Sequence, residues 1–309
     1  MPDFWTHIIG GERVLEGIGD QPFQEMVAEE RNLFNFGCQG PDFFFYNDFW
    51  PWIKRKRGPE AGKRIQLDNI TELFLTSAEF LKASTVREEF PLAMTHFTGF
   101  LAHYVFDRNF HPYINHKTST PEEHKLLEVL LDCYFIEKYW EKEAYLLSPA
   151  EAIELNGELP PVVHEYFSLV LTRVHSYPRN IGFIEEAYLD MKRVQGMFYC
   201  PHPGGKRFRY KLLNLLLPIN LNMFIYPVNP DYSKLKDEEW QTVEGLFNKA
   251  VKEGINLLKA IFDFLEDRIG KEELISTFPE ISFEGEPWER RSGYVNNSND
   301  DKEVARKHD

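Results

Sequence analysis

An all-α, single multi-helix domain is the fold the sequence predicts, on three observations. Apolar residues recur at helical spacing along most of the chain. No stretch sustains the every-second-residue alternation of a half-buried strand. Helix-start signatures also appear repeatedly where such helices should begin. The 309 residues are 43% apolar and 15% aromatic, enough for a sizeable core. No fixed-period repeat or linker-like composition divides the chain, so one domain is expected over residues 1–280. The apolar pattern fades after Pro279 and the chain ends in SGYVNNSNDDKEVARKHD, which predicts a disordered tail over 281–309.

The elements follow in order. Asp20–Phe36 carries apolar residues at helical spacing and stops at Gly37, a residue suited to the position after a helix. GCQGPDFFFYNDFWPW, residues 37–52, breaks the period with glycine, proline and seven aromatics and is expected to be a rigid loop over the core. Asn69-x-x-Glu72 opens a helix to about Ser84. Pro91 sits in a first turn, and the helix after it is expected to reach Phe110 and be stopped by Pro112. Thr120-Pro121-Glu122-Glu123 is a capping box with proline at the first helical position, opening a helix to about Tyr145, and Ser148-Pro149-Ala150-Glu151 repeats the device. Further helices are expected near 161–177, 180–199, 206–217 and 237–269.

Charge and cysteine content narrow the function classes. Thirty-five Lys and Arg against 49 Asp and Glu give a net charge of −14, which disfavours duplex nucleic acid as the main partner. A cluster of bound cations would invert that sign locally, so an anionic small substrate stays open. Cys38, Cys133 and Cys200 cannot all pair and show no CxxC spacing, as in a reducing compartment. MPDFWTHIIGGERVLE has neither a basic leader nor an apolar core, and the most apolar stretch, 212–228, is broken by Asn214, Pro218, Asn220 and Asn222. A cytoplasmic protein without a transmembrane segment is expected. Oligomeric state is not legible.

The chemistry-bearing pattern lies in histidines and acids. His103 and Asp107 are four apart on one helix, so both project from one face about 6 Å apart along the axis. His111 follows at the helix end. His124 and Glu128 repeat the spacing on the next helix, with Asp132 a further turn along. A short connection should pack the two helices antiparallel and bring these faces together. Imidazole and carboxylate on stiff supports suit Zn²⁺, and Asp132 is placed to orient a ligand imidazole. Set against this, such pairs are also common as surface hydrogen bonds.

With WTHIIGGERVLE, FGCQGPDFFFY, GFLAHYVFDRNFHPYI and HKLLEVLLD, residues 1–135 resemble the zinc-dependent phospholipase C family, the all-helical group of the phospholipase C/P1 nuclease type. The HYxxD…HPY…HxxxE series is the specific part; beyond residue 135 only the helical character matches. The resemblance implies a centre of up to three metals, Zn²⁺ or other divalent transition metals. By it, His111, His124 and Glu128 hold one ion. His103 and Asp107 serve a second, with Asp107 bridging to a third that His7 also ligates. Asp42, in the GPDFFFY loop, is implied to act on the attacking water. The family's N-terminal tryptophan ligand is matched only by the internal Trp5, so a processed N-terminus at Pro2 or the Asp3 carboxylate is the expected substitute ligand. Where the family places a histidine before the next helix, this chain has Gln66, a weak ligand for Zn²⁺.

Other features are assigned structural roles. His96 shares a face with His103 but about 10 Å along the axis, so a packed core position is expected. His116 is read as a polar loop residue, and His164 and His175 as structural. The aromatics Phe43, Phe44, Phe45, Tyr46, Phe49, Trp50 and Trp52 fit either a loop closing over a core or a lipid pocket. Gly10-Gly11 lacks the register of a phosphate loop, and neither HExxH nor GxSxG occurs. Two functions follow as expectations. One is a metal-dependent hydrolase of phosphoric esters acting on a phosphate-containing small molecule or a lipid head group. The other is a catalytically degenerate metal-binding domain with a binding or regulatory role.

Overall fold

The computed structural model describes residues 4–48, 53, 56–177, 181–202, 205–214 and 220–287. Asp3, Phe49, Trp50, Trp52 and the expected tail beyond 287 lie outside them. The fold is all-α: among the described residues the only β feature is one isolated bridge, Ile281 with Pro287. The helices are α1 Phe4–Ile18, α2 Gln21–Glu29, α3 Arg31–Gly37, α4 Arg57–Leu67, α5 Ile70–Ser84, α6 Phe90–Lys117 and α7 Pro121–Trp140. After them come α8 Pro149–Ala152, α9 Pro161–Leu169, α10 Phe183–Phe198, α11 Gly205–Leu213, α12 Asp237–Leu265 and α13 Lys271–Thr277.

α6 is the axis of the molecule. Its residues from Ala93 to Ile114 are buried on nearly every side, and α1, α3, α5, α7, α9 and α12 all pack on it. A helix buried on nearly every side is a core helix. Glycines let the backbones close in. A Cβ on Gly37 would collide with the His96 carbonyl, and one on Gly99 would stand 2.5 Å from the Cys38 nitrogen and the Phe34 carbonyl. Gly10 likewise leaves room for the Phe106 ring, which sets α1 tightly on α6. Gly37 is therefore the last residue of α3, serving close packing rather than a left-handed helix stop.

Four further expectations are corrected. α6 runs through Pro112. The proline removes the N–H that would have bonded the Arg108 carbonyl, but packing holds the last turns straight on, with Ile114 buried and its carbonyl receiving the Thr118 N–H. Asn69 does not cap α5. It sits in the left-handed region at φ 57°, and the Glu280 carboxylate instead accepts from Ile70 N (2.8 Å) and Thr71 N (3.0 Å). The described part of the 37–52 loop is itself helical, a 3-10 helix over Gly40–Tyr46. α7 ends at Trp140 rather than near Tyr145, where Glu141 turns left-handed.

The described residues continue beyond 280. Phe283 is fully buried against Phe100, Tyr104 and His103. Gly285, at φ 73°, brings the 282–286 turn against Pro112 and the Arg108 carbonyl, each 2.5 Å from where a Cβ would stand. The Thr120 and Ser148 caps form as expected, Asp20 caps α2, and Cys38, Cys133 and Cys200 are buried with no disulfide among the described residues. No described helix is long and apolar enough to cross a membrane.

Candidate metal centre

Three elements deliver the centre: α1 brings His7, α6 brings His103 and Asp107, and the 3-10 helix brings Asp42. All three helical side chains are buried. Asp107 Oδ2 lies 3.0 Å from His103 Nε2, and its Oδ1 lies 3.3 Å from His7 Nε2. The two imidazoles lie 4.2 Å apart at 30°. One ligand atom from each of His7, His103 and Asp107 falls within 4.8 Å of the other two, a buried His/His/Asp cluster capable of coordinating a metal ion.

The alignment of these atoms separates a ligand set from a hydrogen-bonded knot. Despite the short approaches, both nitrogens of His7, Nε2 of His103 and both oxygens of Asp107 have no hydrogen-bond partner among the described residues. Each such buried group costs about 1–3 kcal/mol unless something binds it. A cation at the point they face would satisfy them together. The His103 ring is oriented for this, because its Nδ1 donates to the Cys38 carbonyl (3.1 Å) and so leaves Nε2 with its lone pair free. Gly40 makes that seat possible: at φ 51°, any Cβ there would run into the His103 ring.

Electrostatics follow from this enclosure. Burial pulls the His7 pKa down to about 4, with His103 adding to the effect, so His7 is neutral. For His103, burial opposes the charged form, but the Asp107 and Asp42 carboxylates outweigh it and raise the pKa. Asp107 is held well below the usual carboxylate range by His103 and His111 in spite of its burial. Burial pushes Asp42 up to about 8, with the negative charge of Asp107 acting in the same direction. Asp42 Oδ1 stands 3.7 Å from His103 Nε2 and accepts from Gln66 Nε2 at 2.7 Å. Gln66 is therefore a donor to the carboxylate.

His111, His124 and Glu128 line a neighbouring cavity of about 650 Å³ with Gln66, Phe45, Met223, Phe224 and Glu284. His124 Nε2 is 2.8 Å from Glu128 Oε1, and the His111 and His124 rings are 6.2 Å apart. These three are brought to one wall but not into the tight cluster formed by His7, His103 and Asp107. His111 is nevertheless set as a ligand would be. Its Nδ1 donates to the Phe283 carbonyl at 2.6 Å, leaving Nε2 as the lone-pair nitrogen.

Asp132 acts on the site through a helix end. Its carboxylate accepts from Trp5 N (2.8 Å), Thr6 N (2.7 Å), Thr6 Oγ1 (2.6 Å) and Tyr226 Oη (2.6 Å), clamping the start of the helix that carries His7. His96 is a core residue, as expected, edge-on to Tyr166 and Phe167. Sequence reasoning missed Phe283 and Cys38, because both act through backbone carbonyls and no side-chain pattern marks such a role. Comparison with family models, curated proteins and solved structures finds no match for this chain.

Proposed function

We propose that the protein is a metal-dependent hydrolase of phosphoric esters that cleaves phosphodiesters of the phospholipase C class by attack of water. The observation that carries this reading is the set of unpartnered, buried donor atoms of His7, His103 and Asp107 beside the Asp42 carboxylate. Bound Zn²⁺ or a similar ion would supply charge for the phosphate oxygens and a water acidified toward a pKa of about 7. The chain's own residues do the rest. His103 and His111, fixed by carbonyls at Nδ1, present Nε2 without rotation. Asp42, whose ionisation the cationic centre would favour, orients and deprotonates the attacking water. The cavity lined by His111, His124 and Glu128 is wide enough for a phosphate-bearing group.

A second reading, a metal-binding domain without turnover, is favoured by the Gln66 amide, which occupies one oxygen of Asp42. Elemental analysis of protein purified without chelator, with assays on p-nitrophenyl phosphorylcholine and bis-p-nitrophenyl phosphate, separates the two. Bound metal with turnover that falls at least about a hundredfold in Asp42→Asn is expected, the scale of a lost general base. Metal without turnover would establish the second reading, and absence of both would remove the hydrolase.

A further inference from the structure

The surface charge of the molecule is uneven in a way the chemistry above does not use. The chain carries −14 overall, yet residues 191–230 contain six Lys or Arg and no Asp or Glu. Four of the six fall in KRFRYK, the sequence of α11 from Lys206 to Lys211. Lys206 and Arg207 spend their donors on backbone carbonyls, Lys206 on Gly196 and Tyr199 and Arg207 on Cys200 and Tyr226. Arg209 is exposed. No carboxylate pairs with any of these three among the described residues, so their charge is not cancelled.

The same helix turns apolar side chains outward. Of seven large hydrophobic residues exposed among the described ones, three lie on α11: Phe208 at 63%, Leu212 at 49% and Leu213 at 42%. Phe208 and Leu212 are four apart and share a face, while Tyr210 on the other side is buried in a small cluster with Phe198 and Ile225. An outward apolar stripe bordered by unpaired cations is the pattern of a helix lying in a lipid interface. Three side chains fall short of the roughly 800 Å² per partner that a stable protein interface buries, and the cations beside them would repel a second copy of the helix.

Position links this helix to the cavity. Asn214, just past α11, donates to the Asn220 side chain (3.0 Å) and accepts from Leu221 N (2.8 Å), tying the helix to the 3-10 turn Leu221–Phe224. Met223 and Phe224 of that turn line the cavity, with the exposed Phe45 on its rim. We propose that α11 docks the protein on an anionic lipid surface through Phe208, Leu212 and Arg209, holding the mouth of the cavity at the head-group level.

Co-sedimentation with vesicles of phosphatidylcholine alone, or mixed with phosphatidylserine, tests this without reference to hydrolysis. Failure here leaves the metal chemistry standing, and Asp42→Asn should bind vesicles as the parent does. Expected is binding to the mixed vesicles, weakened by salt and reduced about tenfold or more by Arg209→Glu and by Phe208→Ser. A Phe208→Cys variant carrying an environment-sensitive fluorophore should shift to the blue on the same vesicles. Equal binding to both vesicle types, no binding, or binding indifferent to both substitutions would overturn the proposal. So would an unshifted label, or a dimer in solution lost in Phe208→Ser.

Discussion

His103 is the residue on which the centre turns, since it touches His7, Asp107 and Asp42 at once. His103→Ala should lower bound metal by at least one equivalent, read by elemental analysis. Metal content equal to the parent's would remove this cluster as the binding site. His96, about two turns earlier on the same helix, has a different consequence. Burial lowers its pKa to about 3, so the folded state excludes a proton that the unfolded chain takes up near 6.5. The stability this represents is present above pH 6.5 and is lost as the pH falls toward 3. Between pH 7 and pH 5 the loss is about 2 kcal/mol. His96→Leu should flatten that part of a stability profile measured by denaturant unfolding, and an unchanged slope would show that His96 is accessible to protons. At this scale the sequence was partly legible. His103 and Asp107 share a helix face by spacing alone. His7 and Asp42 reach the cluster from other elements, which no period reveals, so only the family resemblance pointed to them.

Among the elements, the instructive case is the segment after α13. Its composition fades toward polar residues, and two buried aromatics, Phe278 and Phe283, are too few to set a period. It nevertheless supplies the carbonyl that seats His111, and its neighbour Glu280 caps α5. Pro112 misled for a related reason: a proline forbids one hydrogen bond, while the packing that carries α6 past it comes from the other end of the chain. Gly285→Ala tests the junction. A Cβ there would press on the Arg108 carbonyl and Pro112 from a left-handed backbone, costing about 2 kcal/mol or more in thermal or denaturant unfolding. A neutral result would mean that the turn does not bear on α6. The capping signatures at Thr120 and Ser148 were readable because each is closed within four residues, whereas the cap of α5 comes from 210 residues away.

For the molecule as a whole, the centre is a tie between helices. α1, α6 and the 3-10 helix meet there, and the His7, His103 and Asp107 atoms at the meeting point have no hydrogen-bond partners among the described residues. Removing bound metal by exhaustive chelation should therefore lower the melting temperature. An ion held at a hundred times its dissociation constant adds about 2.7 kcal/mol, and readdition of Zn²⁺ should restore it. A melting temperature indifferent to chelation, in protein shown to carry metal beforehand, would place the ion on the surface. The all-α class was plain from periodicity. The central place of α6 was less so, because a helix buried on every side has no polar face to show its orientation.

The seat of His111 has a consequence for biosynthesis. His111 is synthesised long before Phe283, whose carbonyl steadies its imidazole. The ring is therefore held only after residue 283 has left the ribosome. Until then it is free to turn, so a nascent polypeptide halted short of that point should present His111 in more than one orientation.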